Sequence, residues 1–155
     1  VIAMCLMLLR RGGDLLLGEK LTGFGAGRVV APGGHVEPGE SPLAAAVRET
    51  HEETGLAVHD ATLCARLEFA FPARPAWDLR LEVFTSTTHT GALTPSSELA
   101  PWWCPVRGLP LDRMWDDDRY WLARVLGGER LQGRFVYAPD NETVQHADLH
   151  PLDPT

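Results

Sequence analysis

A chain of 155 residues, 45% hydrophobic and 23% charged, suits one compact domain, residues 1–155. Its net charge of −7 excludes general duplex nucleic-acid binding, which needs a basic face, and no apolar run approaches the roughly 20 residues that span a bilayer. Three cysteines without a C-x-x-C spacing argue against a disulfide framework or zinc site and fit a reducing cytoplasm.

Ile2–Leu9 and Leu15–Lys20 are apolar segments separated by Arg10-Arg11-Gly12-Gly13-Asp14, the pattern of a hairpin with a glycine-containing loop. The first is too short for a membrane span and lacks a basic leader, so it reads as a buried strand. Gly23–Gly34 is glycine-rich and punctuated by Pro32, which predicts a loop. Ser41 as N-cap, Pro42 at the first turn and Gly55 past the end bracket a helix over 42–54. Leu43, Val47, Thr50 and Thr54 form its expected inward stripe, with the glutamates on a different side. Thr62–Phe71 and Trp77–Thr87 read as strands joined by a turn at Pro72–Pro75. A loop over Gly91–Glu98 precedes a short strand at Pro101–Val106. Asp117–Leu126, followed by Gly127-Gly128, reads as a second helix, and Leu131–Tyr137 and Glu142–His146 as closing strands. This order predicts an α/β sandwich.

Two clusters carry chemistry. Within the first helix Glu49, Glu52 and Glu53 lie at i, i+3 and i+4, so three carboxylates share one face. Carboxylates converging there suit a hard cation such as Mg²⁺, which takes oxygen ligands together with a phosphate-bearing substrate. Arg48, beside Glu49 and four residues before Glu52, is within reach to hold a carboxylate in one rotamer. At the second helix, Asp117 and Asp118 follow Trp115 closely. They are either an acidic helix start stabilised by the dipole or, in an apolar pocket, a pair that resists double ionisation and keeps one proton.

Gly34, Glu40, Arg48, Glu49, Glu52, Glu53 and Gly55 resemble the Nudix signature G-x5-E-x7-R-E-U-x-E-E-x-G-U at all seven named polar and glycine positions. Thr50 departs from it, standing where the family prefers an aliphatic residue. The resemblance implies an α/β/α sandwich with a central mixed sheet, hydrolysis of a phosphoric anhydride, and Mg²⁺ with Mn²⁺ as a substitute. It further implies Glu49, Glu52 and Glu53 as ligands, a backbone carbonyl from Gly34, Glu40 as a brace and Arg48 as an orienting group. Glu98 is similar to the extra acidic residue that some members use as ligand or base; alternatively it is a solvated loop glutamate.

The similarity extends further. LLLGEKLTGFGAGR (Leu15–Arg28) and MWDDDRYW (Met114–Trp121) resemble the mammalian-type oxidised purine nucleoside triphosphatases, relatives of MutT, with weaker likeness at EFAF (Glu68–Phe71) and SELAPWW (Ser97–Trp103). By that resemblance Asp117 and Asp118 read the purine edge, Trp115 stacks on the base, Phe24 and Phe69 line the pocket and Lys20 sits at its mouth. That branch has Trp-Asn after GFGAGR, the Asn bonding the base, whereas here Val29-Val30 follow and cannot make that bond. The expectation is therefore a purine nucleoside triphosphate pyrophosphatase, monomeric or weakly dimeric, releasing monophosphate and pyrophosphate. Alternatives are a Nudix hydrolase of ADP-ribose, an RNA 5′ end or a diphosphoinositol phosphate, and a nucleotide-sensing module without turnover. The single lysine and net acidity oppose long RNA and highly phosphorylated inositols, and the intact glutamates oppose the sensor.

Overall fold

The computed structural model describes residues 1–153. The expected hairpin is present as β1 (Ile2–Arg11) and β2 (Asp14–Lys20). The glycine-rich segment after it contains two short strands that composition did not predict, β3 (Val29–Val30) and β4 (Gly33–His35). The first helix is α1 (Pro42–Thr54), followed by β5 (Ala57–His59), β6 (Thr62–Ala70), β7 (Leu79–Ser86), β8 (Thr88–Thr90) and β9 (Leu99–Pro105). The second helix, α2 (Asp118–Leu126), leads into the terminal hairpin β10 (Leu131–Tyr137) and β11 (Val144–Pro151).

Nine strands form one mixed sheet in the order β11-β10-β6-β7-β1-β2-β3, with β4 also on β1 and β9 also on β2. The β1–β7 and β10–β6 pairs are parallel and the others antiparallel. β5 and β8 pair separately. Alternate residues of β1 serve the two faces, as the period of a strand requires. Cys5, Met7 and Leu9 pack under α1 with Ala45, Ala46 and Leu56. Leu8 joins the opposite layer with Leu17, Phe69, Phe135 and, from α2, Trp121, Leu122 and Val125. Each large side chain fully buried this way contributes about 1.5–3 kcal/mol, so both faces of the sheet must be covered.

The inward stripe of α1 differs from the expected one. Ala45, Ala46, Thr50, Glu53 and Thr54 are buried, whereas Leu43 is 38% exposed. Alanines let the helix lie close to β1 and β4. The Thr50 and Thr54 hydroxyls enter the interior because each donates to the carbonyl four residues back, at 2.7 and 2.6 Å.

One irregularity of the sheet positions the site. β1 and β2 pair only near their turn, at Arg10–Leu15 and Arg11–Asp14. Beyond it β1 takes β4 as its neighbour, while β2 takes β3 and β9. The residues of the two diverging strands, with Met4, Leu6 and Leu8 from β1 and Leu17 and Lys20 from β2, line a cavity of about 130 Å³.

Candidate active site

The caps of α1 fix where its carboxylates fall. Ser41 Oγ accepts from the Ala44 N–H at 3.1 Å, and Gly55, at φ 78°, turns the chain left-handed while its N–H donates to His51 O at 2.9 Å. Between these caps, the helix sets Glu49 and Glu53 against β4. The Gly33 N–H donates to Glu53 Oε1 at 3.2 Å. At Gly34 a Cβ would stand 2.8 Å from Glu49 Cδ, so a side chain there would push the carboxylate away. Glu98 arrives from the loop before β9, and one carboxylate oxygen from each of Glu49, Glu53 and Glu98 lies within 4.8 Å of the others.

Arg48 organises the remaining acids. Its Nε and Nη2 hold Glu40 at 2.7 and 2.9 Å, Nη1 reaches Glu49 at 3.0 Å and both oxygens of Glu52 at 3.3 Å, and Nη2 also meets His35 O at 3.3 Å. The paired guanidinium holds the Glu40 carboxyl down at about 2. Glu52 is thus exposed beside Arg48, and the convergent trio is Glu49, Glu53 and Glu98.

The trio fits a hard divalent cation. It offers oxygen donors alone, and carboxylates so close repel one another unless positive charge lies between them. Glu53 is the buried member of the trio. Burial, with Glu49 adding to it against the opposing Gly33 N–H, pushes its carboxyl up to about 8. Cys5, whose thiol donates to the Gly34 carbonyl at 3.5 Å, is no competing soft ligand, because burial pushes its thiol up to about 12.

The cavity between β1 and β2 reaches this trio. Gly33, Gly34, Glu53 and Glu98 line it together with Lys20, Phe24, Phe69, Trp115, Asp117 and Asp118. Gly34 and each expected pocket residue therefore border one space with two of the three clustered glutamates. Trp115 is already packed: Phe24 stacks on it at 5.1 Å and 25°, and the Arg28 guanidinium lies 3.9 Å from its ring centroid. Phe69 stacks on Phe135 at 5.4 Å.

Asp117 is only 6% exposed and makes no side-chain cap for α2. Its Oδ1 accepts from the Tyr137 hydroxyl at 2.5 Å and its Oδ2 from Trp121 Nε1 at 2.8 Å. Burial raises both acids of the pair above the ordinary aspartate range, Asp118 well above it. Sequence reasoning missed Tyr137 and the role of Trp121 as a donor. Trp121 stands four residues after Asp117, a helical spacing that could have suggested it, whereas Tyr137 comes from β10 and no local spacing connects it. Val30 also lines the cavity, so the residue in place of the family Asn adds apolar surface there.

A glutamate helix framed by a glycine-bearing strand, beside a pocket in a split mixed sheet, defines a hydrolase class. The NUDIX domain family matches residues 1–125, and the chain belongs to that family. It is 33% identical to the oxidized purine nucleoside triphosphate hydrolase of Mus musculus over 139 residues, 90% of this chain and 88% of that protein. It is also 33% identical to the Danio rerio protein of the same name, over 91% and 90% of the two chains. Among solved structures, the mutator MutT protein of Bacillus halodurans is similar with a TM-score of 0.84 at 28% identity, covering 99% of this chain and 100% of that one.

Proposed function

We propose that this Nudix hydrolase is a Mg²⁺-dependent pyrophosphatase of purine nucleoside triphosphates, oxidised purines among them, yielding monophosphate and pyrophosphate. One observation carries the reading: a single cavity is lined both by Glu53 and Glu98 of the carboxylate trio and by the acid pair, Trp115 and Phe24. The named activity of the Mus musculus and Danio rerio relatives supports it.

Glu49, Glu53 and Glu98 would hold the cation, which when bound supplies Lewis acidity and positive charge to the phosphate oxygens. The protein supplies position. Arg48 and the Gly33 N–H keep Glu49 and Glu53 in single orientations, which lowers the cost of assembling the site at the moment of reaction. A carboxylate of the glutamate set takes the proton as water adds to phosphorus, and the anhydride P–O bond between the α- and β-phosphates breaks to give monophosphate and pyrophosphate. Lys20 places a positive charge near Glu53 at the cavity wall, suited to a phosphate. Asp117 and Asp118 read the purine edge. The buried, unpaired thiols agree with action in a reducing cytoplasm.

A panel of purine nucleoside triphosphates and ADP-ribose, assayed with Mg²⁺, tests the reading. Turnover of the triphosphates with release of pyrophosphate is expected. Cleavage of ADP-ribose alone would replace it.

A further inference from the structure

The hydrogen bonds around Asp117 have a direction. The Asp117 backbone N–H donates to the Tyr137 hydroxyl oxygen at 3.2 Å, and that hydroxyl has one proton, which points at Asp117 Oδ1. Trp121 Nε1 is a donor only, and it occupies Oδ2. Each oxygen of Asp117 thus receives a proton donor, an arrangement suited to the ionised carboxylate. Asp118 lines the same cavity with no donor directed at it among the described residues. Two adjacent carboxyls in one apolar pocket hold one proton between them, and the acid without donors keeps it. Burial and the Asp117 charge together raise Asp118 well above the ordinary range.

We propose that Tyr137 is a positioning residue that assigns this proton, holding Asp117 as an acceptor and Asp118 as a donor, and so fixes which purine edge the pocket selects. The proposal rests on the reading that the pair faces the base. Of the other titratable groups nearby, Asp116 opposes the assignment by raising Asp117 through its charge, an influence smaller than that of the Tyr137 and Trp121 donors that lower it. Asp116 on the same turn is committed to Arg119 Nε at 2.7 Å and to the Val144 N–H at 2.8 Å. Lys20, Glu53 and Glu98 line the cavity wall but make no hydrogen bond to the pair among the described residues.

The chemistry of the bases makes the order matter. Guanine presents an acceptor at O6 beside a donor at N1, and adenine presents a donor at N6 beside an acceptor at N1. In one base placement, a fixed acceptor and donor fit one of these edges and oppose the other. A mobile proton would serve both.

Tyr137→Phe removes the hydroxyl alone and keeps the ring that stacks on Phe71 at 4.7 Å. The proton is then free to sit on either acid. Whichever of the guanine-type and adenine-type triphosphates the fixed pattern favours, its kcat/KM advantage over the other is expected to shrink by at least about fivefold, the scale of one buried hydrogen bond. The alkaline limb of the kcat/KM profile should move to higher pH, because Asp117 without its donor holds a proton more tightly. A purely structural tyrosine would move neither. Asp117→Asn, which puts a fixed donor in the acceptor position, should reverse the base preference. Should Tyr137→Phe give no cooperative melt, Trp121→Phe removes the other donor and is expected to act in the same direction. If Asp117→Asn changes the ratio while the folded donor variant leaves ratio and limb unchanged, Tyr137 does not assign the proton. If Asp117→Asn leaves the ratio unchanged, the pair does not read the base and both readings fall together.

Discussion

Arg48 grips Glu40 through two parallel hydrogen bonds, Nε to Oε2 at 2.7 Å and Nη2 to Oε1 at 2.9 Å, while its third nitrogen reaches Glu49 and Glu52. One guanidinium therefore ties the loop before α1 to the carboxylates on it. Lysine carries the charge but not the fork. Arg48→Lys is expected to lower kcat by about 10-fold or more, the range for groups that orient a metal ligand, with little change in melting temperature. Steady-state kinetics with thermal melts check this. Unchanged kcat would mean that Glu49 needs no such restraint.

Most of what surrounds that pair was legible in the sequence because it is local. Ser41, Gly55 and the i, i+3, i+4 glutamates lie within one helix, and caps and periodicity are properties of neighbours in the chain. The short strands β3, β4, β5 and β8 were not legible, since two or three residues carry no alternation and their pairing is set by distant partners. Leu43 was expected inside because hydropathy counts its side chain and not the close approach that Ala45 and Ala46 permit. The convergence of Glu98 with Glu49 and Glu53 joins a loop to a helix across the fold. That proximity comes from the sheet, as does Tyr137 beside Asp117.

Glu53 is buried against the Gly33 N–H, within the trio. Glu53→Gln keeps its shape and removes its capacity to ionise against a cation, so kcat is expected to fall at least about 10²-fold at saturating Mg²⁺ while the fold persists. Near-normal turnover would remove Glu53 from the site.

Gly34 leaves room for Glu49, since a Cβ would come within 2.8 Å of its carboxyl carbon. Gly34→Ala should displace that carboxylate, weakening Mg²⁺ binding and turnover by about 10-fold or more. Calorimetric titration with Mg²⁺ alone separates the effect on the cation from any effect on substrate, and unchanged affinity would show that the cation does not depend on Glu49.

Asp118 titrates above its ordinary value of 3.8 in the folded chain, by burial first and then by the charge of Asp117. Below 3.8 both states hold the proton and nothing is lost. As pH rises above that value the unfolded chain ionises first, the native state binds more protons, and stability falls until the raised native value is passed. Asp118→Asn removes this slope. Its melting temperature relative to the unmodified chain should rise from acid toward neutral pH, and a constant difference would place the carboxyl in water.

The products formed from purine nucleoside triphosphates in the presence of Mg²⁺ test the proposed activity most directly. Separation of nucleotides alongside a pyrophosphate assay should show monophosphate and pyrophosphate appearing in equal amounts, with no diphosphate accumulating. Diphosphate with orthophosphate, or no triphosphate turnover while Mg²⁺ binds the trio, would contradict it.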